Sequence, residues 1–388
     1  MPFYHKQGSI PHKRHTQHRK PNGELYAEEL VSTEGFSNIY SLVYHTHPPT
    51  LVTRIGEPWS VEPKIAVAKN MQHRSLLCFN VPAEDDYIKS RKVLLVNNDL
   101  HMGMAAPRKS LPYYFKNADG DEVLFIHEGR GMFKSVYGNL SFSYGDYIVI
   151  PRGTVYQLEF ETEDNKIFFV ESFSPVYPPR RYLNKYGQLN EHSPYCERDL
   201  RAPELTDTFD QMGEFQIMIK KQGMIFPYTY GSHPFDAIGW DGYVYPYIFS
   251  IHDFEPITGR IHQPPPIHQT FEGHNFVICS FVPRLFDYHP HSIPAPYNHS
   301  NVDSDEILYY VDGDFMSRKH VERGMITLHP KGIPHGPHPG TVEKSIGAKE
   351  TRELAVMIDP FHPLMLTDEA IKVEDGNYWQ SWVELGLE

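Results

Sequence analysis

Two stretches of this chain repeat one another, and a repeat of that kind leaves few folds open. DEVLFIHEG (Asp121 to Gly129) matches DEILYYVDG (Asp305 to Gly313), and GDYIVIPRGTVY matches GMITLHPKGIPH at equal spacing, setting Pro151, Gly153 and Tyr156 on Pro330, Gly332 and His335. Each copy holds several short β-branched and aromatic runs closed by Gly, Pro or Asn, with no helical pattern between them. A unit this long is not the short repeat of a solenoid and predicts two β-sandwich or jelly-roll barrels. The expected fold is mainly β with few short helices.

Further strands are expected at FKSVYGNLSFS and VYQLEFE beside the first copy, and at GHNFVICSFVP and ELAVMID beside the second. Before Asn98 the pattern is irregular, with strand-like pieces IYSLVYH, KIAVAKN and SLLCFNV wrapping a core. Helix is expected only at RRYLNKYGQLNEH near Arg181, from Ala202 to Gln216, and at TDEAIK near Thr367. The Pro- and His-rich stretch from Pro256 to His274 reads as a connecting loop. The chain therefore divides into residues 1–255, an N-terminal β domain with the first barrel, and 256–388, a linker loop and C-terminal barrel.

Composition removes several classes of function. With 36 Lys+Arg against 49 Asp+Glu the net charge of -13 opposes a phosphate backbone, so nucleic acid is not an expected partner. No apolar run approaches the roughly 18 residues of a membrane helix. The basic N-terminus, MPFYHKQGSIPHKRHTQHRK, has no apolar stretch behind it and reads as an extended arm on the surface or on a neighbouring subunit. His15 and His18 belong to that arm. Cys78, Cys196 and Cys279 are too scattered for a disulfide framework, which fits a reducing cytoplasm. With 23 His and 3 Cys, any metal would take nitrogen and oxygen ligands.

The second copy supplies such ligands. PYNHSNVDSDEILYYVDG offers His299 and Glu306 at the start of a strand, and HPKGIPHGPHPG offers His335 across a turn. Two imidazoles and one carboxylate on adjacent strands form the facial triad that holds non-haem Fe(II) and leaves positions open for dioxygen. A single His in a chain with 23 is ordinarily just a polar residue near a loop. Here the first copy has Tyr156 at the position of His335 and no His in PYYFKNADGD before Glu122, so both imidazoles are missing together from one barrel.

These residues resemble a cupin: Gly324, Pro330, Gly332 and His335 follow the second cupin motif, and Glu306 with Gly313 the end of the first. Tyr297-Asn298-His299 replaces the usual His-x-His, and Pro296-Tyr297-Asn298-His299 with Pro334-His335-Gly336-Pro337 is similar to homogentisate 1,2-dioxygenase. That resemblance implies a bicupin whose first barrel has lost its metal ligands, with Fe(II) on His299, Glu306 and His335 of the second. It also implies a substrate pocket involving His329, Tyr297, Phe315 and His335, and a histidine base, His262 or alternatively His268, the order of the flanking segments favouring His262. The implied reaction opens the ring of homogentisate with O2 to give maleylacetoacetate, in a trimer or hexamer.

Two features depart from the family pattern. His299 and Glu306 stand one residue further apart, so Asp305 is a rival ligand, although Glu306 is the one in step with Gly313 and with Glu122. Phe315 replaces a Tyr near the substrate carboxylate and cannot donate a hydrogen bond, which leaves Tyr297, Tyr309 or Asn298 for that task. His289 and His291 in DYHPHS are placed to line the entrance. Competing expectations are a cupin dioxygenase for another hydroxylated aromatic acid, such as a gentisate, and a non-catalytic bicupin with a vestigial site.

Overall fold

The computed structural model describes residues 3–315 and 321–383. Its regular structure is mainly β, and among the described residues the α-helices are three short ones, Tyr87–Ser90, Thr341–Ser345 and Asp368–Lys372. None is long and apolar enough to cross a membrane.

The central layer is an eight-stranded sheet in the order Leu200–Arg201, Tyr247–Ser250, Asp146–Ile150, Asp121–Glu128, Lys166–Ser172, Leu100–Ala105, Arg91–Val96, Met365–Leu366. Side chains alternate across it, and both faces are apolar. Leu124, Ile126, Ile148 and Phe169 pack with Phe115, Phe133 and Tyr156 of a second eight-stranded sheet, closing the first barrel. Val123, Phe125, Val149 and Phe168 face the other way and share a core with Ile278, Ile307, Tyr309 and Val356. Those four belong to a seven-stranded sheet in the order Gln269–Gly273, Phe276–Phe281, Leu354–Pro360, Glu306–Asp312, Met325–His329, Arg74–Leu77, Glu374–Asp375. Phe168 and Tyr309 stack across this junction with ring centroids 4.5 Å apart, and the Tyr147 and Ser280 hydroxyls lie 2.9 Å apart. Two-sided burial explains why the centre of DEVLFIHEG, Val123 to Ile126, is apolar without alternation.

The division of the chain at residue 255 is a proposal, and three strand pairings cross it, one of them joining Glu374–Asp375 to Arg74–Leu77. Arg74–Leu77 pairs with Met325–His329 in the seven-stranded sheet, and Met365–Leu366 pairs with Arg91–Val96 in the central one.

Several local expectations need correction. Ala202 to Gln216 is not helical: Glu204 bridges to Asn139, and Met212–Lys221 forms a hairpin with Met224–Ser232. The hairpin turns through Gln222 and Gly223 at φ 52° and 68°, the left-handed pair that a two-residue turn requires. Near Arg181 only the 3-10 turn Arg180–Tyr182 forms. KIAVAKN has no strand, because Ile65 and Val67 stay exposed and only an isolated bridge joins Ile65 to Thr367. The connecting stretch ends in the strand Gln269–Gly273, and the N-terminal arm is partly taken into a sheet, His5–Gly8 pairing with Ala237–Gly242. TDEAIK does give the helix Asp368–Lys372, capped by the Thr367 side chain on Ala370 N.

Candidate metal centre

Glu306 opens the strand Glu306–Asp312 and pairs with His329, the last residue of Met325–His329. The turn after His329 brings the chain back so that His335 and His299 form an antiparallel bridge, with backbone hydrogen bonds of 2.8 and 2.9 Å. One donor atom from each of His299, Glu306 and His335 therefore lies within 4.8 Å of the others. Glu306 and His335 are buried and His299 is half-buried, so the cluster has one open side.

Backbone carbonyls fix both rings. His299 Nδ1 donates to Tyr297 O and His335 Nδ1 to Ile333 O, each at 3.1 Å, which turns both Nε2 atoms toward the carboxylate. His299 Nε2 is 3.2 Å from Glu306 Oε2, and His335 Nε2 is 3.4 Å from Oε1. His335 Nε2 is buried without a hydrogen-bond partner. An orphaned imidazole nitrogen facing a second imidazole and a carboxylate is a donor set that fits a divalent cation.

His329 is fully buried and donates from Nδ1 to Glu306 Oε1 at 2.9 Å, while its Nε2 lies 3.3 Å from the Tyr378 hydroxyl. Burial disfavours charge on Glu306, but hydrogen bonds from His299 and His329, with the His335 ring close by, outweigh it and hold the carboxyl well below the usual range. Asp305 faces away and accepts from the backbone N–H of Lys331 and Leu364 at 2.8 and 2.7 Å. The alternation of side chains along a strand thus brings Glu306, and not Asp305, into the cluster.

His262 is exposed at the mouth. Its Nδ1 is 3.5 Å from Asp287 Oδ2, and its ring meets Tyr297 edge-on at 5.2 Å; Tyr297 in turn lies 6.2 Å from the His299 ring. His268 is buried elsewhere, stacked on Phe281 at 4.4 Å, and burial with the nearby Arg284 charge pushes its basicity far down. Phe315 packs against Tyr310 at 4.7 Å. Tyr309, an expected partner for a substrate carboxylate, points into the core between the barrels, its hydroxyl 2.5 Å from His127 Nδ1. His289 and His291 pack on each other at 5.8 Å. His15 engages Glu28 at 2.6 Å, and His18 lies against Tyr26 and Tyr44.

Three residues near the cluster had not been singled out. His73 brings its ring within 5.3 Å of His329 and 5.9 Å of His335, carried there by the exchanged strand Arg74–Leu77. Tyr378 arrives from the C-terminal 3-10 segment. Asp359 lies across from Glu306, since Ile307 pairs with Ile358, and burial together with the Glu306 charge pushes its carboxyl well up. Only Asp359 left a signal in the sequence: it is the penultimate residue of its strand, as Glu171 is of the matching strand of the first copy.

Fold and donor set together describe a mainly β protein with a candidate metal site on one barrel. A family model described as homogentisate 1,2-dioxygenase N-terminal matches residues 5–251, and the chain belongs to that family of oxygenases. It is 41% identical over 98% of its length, and 99% of the other chain, to a protein of Saccharolobus solfataricus named provisionally as a dioxygenase. It is 24% identical to homogentisate 1,2-dioxygenase of Nitrobacter hamburgensis, over 96% of this chain and 90% of that one. Among solved structures, a cupin 2 conserved barrel domain protein from Leptotrichia buccalis aligns at a TM-score of 0.35 and 12% identity, over 76% of this chain and 100% of that one.

Proposed function

We propose that the protein is an Fe(II)-dependent ring-cleaving dioxygenase that converts homogentisate and O2 to maleylacetoacetate in tyrosine and phenylalanine catabolism, as a cytoplasmic homo-oligomer, trimer or hexamer. The observation that carries this reading is the convergence of His299, Glu306 and His335 with an orphaned buried Nε2, in a chain of the homogentisate 1,2-dioxygenase family. Ferrous iron held by these three side chains supplies dioxygen activation and a Lewis acid for the phenol.

The other residues take roles that follow from their contacts. Asp287 beside Nδ1 of His262 favours the tautomer whose Nε2 is free to accept the substrate's phenolic proton at the mouth. His329 holds Glu306 Oε1 through Nδ1–H, and the Tyr378 hydroxyl at Nε2 fixes that tautomer. Phe315 is packed on Tyr310 and donates nothing, so the exposed Tyr297 hydroxyl is the donor assigned to the substrate carboxylate. Both oxygen atoms of O2 end in the ring-opened product.

The test is oxygen uptake by the Fe(II)-reconstituted protein with homogentisate, followed through the ultraviolet absorbance of the product, with His335→Ala as control. Uptake with product, lost in the variant, is the expected result. Faster uptake with gentisate would overturn the substrate assignment, and a protein that binds no iron would return the reading to a non-catalytic bicupin.

A further inference from the structure

We infer that the first barrel retains the outline of a second metal position, in which the Arg91 guanidinium stands in place of the ion. The inference rests on the proposed metal site of the second barrel, because the two barrels are compared position by position. Phe115 pairs with Tyr156 just as His299 pairs with His335. Seven residues after Phe115 and after His299 come Glu122 and Glu306, each at the start of its barrel's central strand. Glu122 pairs with Ile150 and Glu306 with His329. Glu122 also lies opposite Glu171, as Glu306 lies opposite Asp359. Both barrels therefore set two carboxylates side by side at the same end, and only the second adds imidazoles.

In the first barrel these carboxylates are met by built-in cations. Arg91 Nη1 lies 2.6 Å from Glu122 Oε1, and its Nη2 lies 3.6 Å from Glu171 Oε2. Tyr156, at the position of His335, donates its hydroxyl to the other Glu122 oxygen at 2.8 Å. Lys220 Nζ reaches Glu171 and, at 3.0 Å, Asp119. The guanidinium carbon lies over the Phe169 ring at 4.2 Å. The Arg91 side chain is 8% exposed, and those of Glu122 and Glu171 are each 1% exposed.

Two carboxylates withdrawn from water require compensating positive charge, and a lone buried charge is strongly destabilising. A divalent ion would supply that charge at one point; Arg91 and Lys220 supply one positive charge each. The guanidinium suits the position because it presents several donors in a plane and stays charged when buried. Phe115 and Tyr156 have no imidazole nitrogen to offer, so the donor set and the cation have been exchanged together. The first barrel is then held together by a cation that cannot be chelated away, and the chain takes up one metal ion rather than two.

The test restores the missing nitrogens and removes the built-in cation in one chain, Phe115→His with Tyr156→His and Arg91→Ala, and measures bound cobalt per chain after dialysis. Uptake is expected to rise from one ion per wild-type chain to two, and from none to one when Glu306→Ala is added to each. The metal content of the wild type tests the second-barrel reading separately. Because this variant can fail to fold, Arg91→Met and Arg91→Ala are melted alongside. Loss of the cation is expected to lower Tm by about 5–10 °C. In Arg91→Ala, millimolar methylguanidinium should recover part of that loss, while sodium chloride at the same ionic strength should not. A wild-type Tm for Arg91→Met, or a folded restored variant that takes up no second ion, would overturn the inference.

Discussion

Asp305 and Glu306 are neighbours with opposite tasks, and the difference can be measured. Asp305 spends both carboxylate oxygens on backbone N–H groups, one from the loop that leads to His335 and one from the segment after Pro360. Glu306 faces three imidazoles. Glu306→Ala is therefore expected to abolish metal uptake. Asp305→Ala should leave a metal site but lower stability by about 2–4 kcal/mol, since two N–H groups lose their acceptor. Metal analysis together with denaturant melts separates the two, and full uptake by Glu306→Ala would sink the ligand assignment. His262 calls for a different readout, being outside the donor set and exposed. His262→Ala should keep its iron while kcat falls by about 10²–10⁴-fold. Unchanged turnover at every pH would remove the base from the mechanism and leave the metal centre standing.

At the scale of strands, the four-stranded sheet that takes up His5–Gly8 contains the clearest pH-dependent contact. His45, at the end of Tyr40–His45, is pinned between Asp236 at 2.6 Å and Glu29 at 3.0 Å. Burial opposes its charge, but hydrogen bonds and charge from Asp236 and Glu29 prevail and raise its pKa from 6.5 to about 9. A raised folded-state pKa contributes stability that is fully present below the unfolded value near 6.5 and is lost as pH rises through about 9. The contribution is about 3 kcal/mol, at 1.4 kcal/mol per unit. Thermal melts of wild type between pH 6 and 10 should show that decline, and His45→Gln should be less stable at pH 6 and largely lack it. Parallel curves for the two proteins would rule the contact out as a source of stability. Elements of this kind also show what a sequence can reveal. GDYIVIP and GMITLHP were readable as strands because Gly and Pro close short apolar runs. Ala202 to Gln216 departs from the helical expectation: before Met212 it carries only an isolated bridge, and Leu205 and Phe209 pack on the core from a segment without regular structure. The triad was readable because its ligands lie in two local motifs, whereas His73 reaches the cluster from more than two hundred residues away and Tyr378 through packing of the C-terminal 3-10 segment, and neither belongs to those motifs.

Those long-range pairings set the behaviour of the whole molecule. The sheet bearing the candidate metal centre includes Arg74–Leu77, and one continuous apolar cluster joins Phe125 and Phe168 of the first barrel to Ile307, Tyr309 and Val356 of the second. A repeat in sequence would ordinarily suggest two units that fold independently. Here residues 256–388 alone would expose the face carrying Ile307 and Tyr309 and would leave the backbone edge of Met325–His329 unpaired. Expressed as a fragment, 256–388 should lack the dispersed amide spectrum of a folded domain and bind no metal stoichiometrically. In the full chain Tyr309→Ala removes a ring stacked at 4.5 Å on Phe168 together with its bond to His127. The expected cost is about 3–5 kcal/mol, the range for deleting a large buried aromatic. Because the core is shared, the calorimetric transition should move down as one peak and metal release should move with it. A variant whose first barrel melts at the wild-type temperature while the second melts early would show that the repeat marks two separable folding units, and the exchanged strands would then be secondary to stability.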